Sequence, residues 1–202
     1  GQKREIAWLG DWGGAYSMEA GVLEACEKAL EVLQTKGHRV TRPKPPFSAE
    51  ALWDAWITLR SWAVGEKSRV LYENPNTRDL LKPEAIWEIE RGMALTGADV
   101  HAASAICTSW FKTTARMDII ALPSAQIFPF PKEWDWPKEI AGKSMDTYHR
   151  WMEVVVPASV TGLPALCVPC PDNLPMGLQL IGHRGRDADV LALGRDYEAA
   201  LN

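Results

Sequence analysis

The strongest constraint on the fold is a change of hydrophobic period near the start of the chain. Ile6-Ala7-Trp8-Leu9-Gly10 is a short apolar run stopped by glycine, and it reads as a buried strand. Asp11-Trp12-Gly13-Gly14 is its turn. Ser17 is the expected cap of a helix that carries Val22, Cys26, Ala29, Leu30 and Leu33 on one face at helical spacing. Gly37 stands where a helix C-terminal glycine belongs, and His38 to Thr41 reads as a second strand. Strand, helix, strand at this length is a βαβ unit with a parallel pair, which points to the α/β class.

Helical spacing continues downstream. Ser48 caps a helix through Leu52, Trp53, Trp56, Leu59, Arg60 and Ala63, with Gly65 expected just past its end. Pro83-Glu84 opens a third helix, whose faces are given by Ile86, Trp87, Glu90 and Met93. Gly97 to Arg116 predicts a long helix burying Val100, Ala103, Ile106, Cys107, Trp110 and Phe111. Asp118 to Pro123 is a short buried strand. Ser124 to Lys143 has little periodicity and holds Phe128, Phe130, Trp134 and Trp136 among prolines. A loop this long is usually functional or disordered, and its aromatics argue against disorder. Asp146 to Val156 suits a helix, Pro157 to Gly162 a turn, and Leu163 to Pro169 a strand. Leu174 to Ile181 alternates as a strand with period two, and Asp187 caps a final helix through Leu201.

Composition narrows the functional classes. The chain has 202 residues, 47% hydrophobic and 24% charged, with net charge −4. Nothing in that balance neutralises a phosphate backbone, so no nucleic-acid partner is expected. No apolar run approaches the ~20 residues that cross a bilayer, so no membrane partner is expected either. No signal peptide is read behind the opening Gly1-Gln2-Lys3-Arg4-Glu5, and Glu5 replaces the Ser or Thr of a myristoylation motif. Four cysteines are too few for a disulfide scaffold, which suggests a reducing, cytoplasmic setting. Gly1 is not an initiator Met: either a Met was trimmed, or the chain is a processed piece of something longer.

Few motifs carry chemistry. Cys167-Val168-Pro169-Cys170 is a C-x-x-C, but it leaves a strand and runs into Pro171 instead of opening a helix. Cys26 and Cys107, on helices expected to lie far off, do not complete a zinc set. A structural role for Cys167 and Cys170 is therefore expected. The histidines are scattered, so no metal or other cofactor is expected. No G-x-S-x-G elbow is present, and Gly13-Gly14 lacks the third glycine of a dinucleotide loop. The aromatic, proline-rich loop remains, as either the wall of an apolar pocket or a cover over the core.

Two stretches carry a family likeness. Pro157-Ala158-Ser159-Val160-Thr161-Gly162-Leu163-Pro164-Ala165-Leu166-Cys167-Val168-Pro169 resembles a proline- and glycine-marked segment of the amidase signature enzymes. Leu174-Pro175-Met176-Gly177-Leu178-Gln179-Leu180-Ile181-Gly182 resembles the segment that follows it, with Asn173 in place of that family's first glycine. The final helix, Gly37-His38-Arg39-Val40 and, more loosely, Asp118 to Pro123 are similar too. The resemblance implies the C-terminal half of an α/β/α amidase fold: a mixed sheet covered by helices, with residues 1–202 forming one segment.

The family's chemistry resides in a Lys–Ser–Ser triad and a Gly/Ser-rich stretch of the N-terminal half. This chain has no Ser-Ser dipeptide, so no catalytic residue is carried over. The resemblance then implies one component of an amidase, inactive alone. Its partner would be a second chain bearing the Lys–Ser–Ser half, and its substrate a small-molecule amide. Phe128, Trp134, Trp136, Trp151 and Met152 are the expected substrate-binding residues, giving an aromatic or hydrophobic acyl pocket. Glu153 and Arg91 are the candidates for holding a charged substrate end. Three segments should face the missing nucleophile: Ser124 to Trp136, Tyr148 to Met152 and Pro157 to Thr161. A non-catalytic scaffold and an amidotransferase-type subunit delivering ammonia are the alternatives.

Overall fold

A computed structural model describes residues 2–172 and 174–201; the readings attached to Gly1 and Asn173 lie outside these residues. Ile6, Ala7 and Trp8 are buried in β1 (Glu5–Trp8), which is followed by α1 (Val22–Thr35) and β2 (Arg39–Thr41). β1 pairs in parallel with β2, as the period change requires, and on its other side in parallel with β3 (Ile119–Pro123). β7 (Gly177–Ile181) runs antiparallel to β3 and to β6 (Ala165–Pro169). The result is a mixed sheet in the order β2-β1-β3-β7-β6.

Alternation along the central strands divides the core between the two faces of the sheet. Ile119 and Ala121 of β3, with Leu178 and Leu180 of β7, pack under Val22, Cys26, Ala29 and Leu30 of α1 and Val190, Leu193 and Tyr197 of α7 (Asp187–Leu201). Ile120, Leu122 and Ile181 face the opposite layer. There they meet Leu52, Trp53 and Ile57 of α2 (Ala49–Glu73) and Trp110 of α5 (Gly97–Thr114). This is the helix–sheet–helix arrangement expected from the resemblance. At the β6 edge only one face is covered. Leu166 and Val168 turn toward the α1/α7 layer, whereas Ala165, Cys167 and Pro169 are exposed.

Several local expectations are corrected. Ser17 does not cap α1; that helix begins after Gly21, whose φ of 94° is open to glycine. The Ser17 carbonyl instead accepts from Gln126 Nε2, and Glu19 Oε2 from the Phe128 N–H, so this segment is tied to the loop after β3. Ser48 caps α2 as expected, its Oγ accepting from Ala51 N–H at 3.2 Å. The helix nevertheless passes through Gly65 to Glu73 and gives way to a short turn, α3 (Pro75–Arg78).

Gly65 is internal because α4 (Pro83–Ala94) crosses α2 there, and a Cβ on Gly92 would lie 1.9 Å from the Ser61 carbonyl oxygen. That crossing selects Glu88, Ile89 and Gly92 as the buried face of α4; Trp87 and Glu90 are exposed. On α5 the buried stripe narrows to Ala103, Trp110 and Thr114, which leaves Phe111 exposed and Val100, Ile106 and Cys107 half-buried.

The expected helix from Asp146 to Val156 is a tight 3₁₀ segment, Arg150–Val155, kinked at Met152. It leads into one helical turn, α6 (Val156–Ser159), where a turn was expected; Pro157 is tolerated because it lies in the first turn. The strand expected from Leu174 starts at Gly177, and Leu174 is exposed. Inside the irregular loop a small hairpin forms, β4 (Glu139–Ile140) with β5 (Lys143–Ser144).

Candidate functional site

A cleft of about 690 Å³ opens between the start of α4 and the aromatic loop. Trp134, Asp135 and Tyr148 form one wall, Leu80 to Ala85 the other, and Arg60, Glu88 and His149 lie at its inner side. A smaller cleft of about 290 Å³ lies between Trp56 and Leu59 of α2 and the Ser159-Val160 end of α6, and Arg60 lines both. Thus the three segments expected to face a missing nucleophile each border one of two clefts that share a side chain.

The aromatic wall is internally braced. Phe130 stacks on Trp134 at 6.1 Å between ring centroids and presents its edge to Trp151 at 5.6 Å. Trp136 meets Tyr148 edge-on at 6.2 Å, with Lys138 Nζ 3.5 Å above the Trp136 ring. Offset and T-shaped pairs of this kind add to what area burial alone contributes. The structure therefore joins Trp134 to Trp151 through Phe130, and Trp136 to the cleft through Tyr148. Trp134 alone of the expected residues lines the large cleft. Phe128 packs instead against Gly21 and the α1/α7 core. Met152, half-buried at the kink, donates its backbone N–H to the His149 carbonyl at 3.1 Å.

The two charges considered for a substrate end are engaged elsewhere. Glu153 is buried and accepts from Arg150 Nη1 at 3.1 Å; burial pushes its carboxyl up while Arg150 pulls against the rise. Arg150 also binds Asp146 and Glu50 and stacks over Trp53 at 4.0 Å, which fastens the 3₁₀ segment to α2. Arg91 reaches Thr58 Oγ1 at 3.4 Å and lies near the Trp87 ring.

Sequence reasoning missed the cluster at the inner side of the large cleft. Glu88 and His149 are both almost completely buried. Arg60 Nε lies 2.7 Å from Glu88 Oε1, and His149 Nε2 3.6 Å from Glu88 Oε2. The His149 ring meets Trp56 edge-on at 5.6 Å. Burial raises the Glu88 carboxyl, but His149 and Arg60 outweigh it and hold it below the ordinary carboxylate value. Glu88 gave a weak signal in sequence, being a charge on what reads as a solvated helix face. No group of His, Cys, Asp and Glu fit to hold a metal ion occurs among the described residues.

This cluster makes stability pH-dependent. A carboxyl depressed in the fold contributes stability above its unfolded pKa, ~4.3 for Glu, and loses it as pH falls through the lower folded value. Glu88→Gln is therefore expected to lower stability near neutrality and to flatten the acid side of the profile. Urea midpoints measured from about pH 7 down to about pH 3 check it; parallel profiles for the variant and the parent would contradict it.

Comparison with known proteins decides the family. The family model described as Amidase matches residues 4–191. The chain belongs to the Amidase family. An acylamidase from Rhodococcus erythropolis is 26% identical over 96% of this chain and 42% of its own length. One component of the glutamyl-tRNA(Gln) amidotransferase of Chloroflexus aggregans is 27% identical over 90% of the chain and 41% of its own length. An indoleacetamide hydrolase from Rhizobium radiobacter is 33% identical over a shorter stretch, 46% of the chain and 20% of its own length.

Among solved structures, a bacterial aryl acylamidase of the amidase signature family superposes with a TM-score of 0.85. It is 21% identical, and the match covers 98% of this chain and 44% of that one. This amidase chain spans less than half the length of these relatives. No helix among its described residues is long and apolar enough to cross a membrane.

Proposed function

We propose that residues 1–202 form the C-terminal half of an amidase that hydrolyses carboxylic amides, the serine nucleophile residing on a partner chain. The observation that carries this is a mismatch. The family model accounts for nearly the whole chain, while the chain accounts for under half of its relatives and contains no Ser-Ser dipeptide. The partner would supply Lys–Ser–Ser, form an acyl-enzyme and provide the oxyanion donors. This chain alone would then be inactive, contributing pocket walls and the layers that hold them. The exposed Ala165-Cys167-Pro169 face of β6, reached by no helix among the described residues, is where such a partner would continue the fold.

An aromatic or hydrophobic acyl group is the substrate class that suits the Trp134 and Tyr148 side of the cleft, which Phe130, Trp151 and Trp136 brace from behind. The name of one relative, an indoleacetamide hydrolase 33% identical over 46% of the chain, points the same way. At the inner side Arg60 pairs with Glu88 at 2.7 Å, so neither charge stands alone toward an acyl end.

Trp134 is half-exposed at the cleft mouth, so its replacement should disturb the fold little and the pocket much. In the assembled enzyme, Trp134→Ala is expected to cost ~1–3 kcal/mol of transition-state binding for bulky aromatic amides, seen as a ~10–200-fold fall in kcat/KM. Small aliphatic amides should change far less. Trp53→Ala, at the Arg150 contact, should lower stability and leave the ranking intact. An unchanged ranking of bulky against small amides in Trp134→Ala makes the loop a core cover instead of a pocket wall.

Similarity to an amidotransferase component over 90% of the chain favours one second reading, in which ammonia is passed to an acceptor. Ammonia released into water with no acceptor present supports hydrolysis; amide cleavage only with an acceptor present, the nitrogen recovered on that acceptor, supports transfer.

A further inference from the structure

The C-x-x-C motif is split by the sheet. Cys167 is on the exposed face of β6, where its Sγ crowds Gly177. Cys170, just past the strand end, turns under the opposite face into the α1/α7 core. There its Sγ lies 3.9 Å from Cys26 Sγ on α1. The expectation that Cys26 lies far from this motif is thus corrected: these two sulfurs, 144 residues apart in sequence, are in van der Waals contact.

The backbone around them is held on both sides. Lys28, on the same helix as Cys26, pairs with Asp172 at 2.6 Å, and the Tyr197 hydroxyl donates to the Pro169 carbonyl at 2.5 Å. The Cys170 N–H donates to the Met176 carbonyl at 2.8 Å, closing the turn between β6 and β7. A disulfide needs sulfurs ~2.05 Å apart, so the two sulfurs must draw together from 3.9 Å for the bond to form. Cys26 is fully buried, but Cys170 lines an open cleft of about 550 Å³ at this end of the sheet.

We propose that Cys26 and Cys170 are a reversible disulfide site, oxidised by exchange with low-molecular-weight disulfides that enter this cleft. The Cys170 thiolate attacks one sulfur of the incoming RSSR, forming a Cys170–S–SR mixed disulfide and expelling RS⁻. Cys26 then loses its proton to that thiolate or to solvent and attacks Cys170 Sγ, expelling the second RS⁻. Two protein thiols are oxidised by two electrons, and one RSSR is reduced to two RSH. The order follows exposure, and ionisation agrees with it: the contact between the two sulfurs draws the Cys170 thiol down, and that contact with burial pushes Cys26 up. The product would tie α1 covalently to the end of β6, with Cys167 left outside the bond.

The test uses the whole protein, purified reduced, incubated with oxidised glutathione, then blocked with an alkylating agent after denaturation and mapped by mass spectrometry. Cys26 and Cys170 are expected to lose their thiols, with the Cys26 peptide joined to the Cys170 peptide and Cys107 and Cys167 alkylated or carrying glutathione. Reductant should restore all four. Cys26→Ala should stop at the mixed disulfide, gaining one glutathione on Cys170. A Cys167–Cys170 link, or recovery of Cys26 and Cys170 fully alkylated, overturns the proposal. If Cys26→Ala does not fold, the map of the unsubstituted protein decides alone.

Discussion

Trp110→Ala is expected to destabilise the fold by ~3–5 kcal/mol, the range for emptying a buried tryptophan site. Trp110 is fully buried where α5 meets the sheet, with Trp12 edge-on at 5.6 Å and Phe47 at 5.7 Å. These neighbours come from separate stretches of chain, so they cannot collapse together into the space left. The indole N–H also donates to the Pro157 carbonyl at 2.8 Å, the contact that seats α6 on α5. Removing it leaves that carbonyl with the longer bond from Thr161 Oγ1, at 3.3 Å, so part of the loss within that range is the missing donor. Chemical denaturation of Trp110→Ala beside Phe111→Ala measures the difference. Phe111 is the next residue on the same helix but is exposed, and its loss should cost well under half as much. Equal losses would contradict the packing described for α5.

How much of this was legible in the sequence depended on whether a feature is local. The βαβ start was readable because the strand and helix of residues 5–35 each show their own period, and β3 because four apolar residues stand between Asp118 and Pro123. Ser48 was readable as a cap because capping is settled within one turn. The errors arose where a distant segment decides. Gly65 reads as a helix end, but the Gly92 backbone packs on it and keeps it internal. Ser17 reads as a cap, but Gln126 claims its carbonyl.

The site followed the same rule. Aromatic density marked the loop of residues 124–143, and Trp134 does line the large cleft. Phe128 in the same loop points the other way, because Glu19 fixes its backbone beside α1. Glu88, His149 and Arg60 come from three elements and carry no spacing that links them. The Cys26–Cys170 contact was hidden for the same reason, since a pair that close in space is far apart in sequence.

The second large effect follows from the proposed division of labour between this chain and a companion half. Enzymes that act through a serine nucleophile lose on the order of 10⁶-fold in kcat when that nucleophile is removed. Each half alone should therefore show no amide hydrolysis above background, and the two together should restore it. Alone, this chain leaves the Ala165-Cys167-Pro169 face of β6 and the edge of that strand open, so hydrophobic dye binding should fall when the companion half is added.

The most direct measurement combines both chains with an aromatic amide and a serine-directed fluorophosphonate. The account predicts hydrolysis only in the mixture, and label only on a serine of the companion chain. Hydrolysis by this chain alone, or label on any serine within residues 1–202, would contradict it.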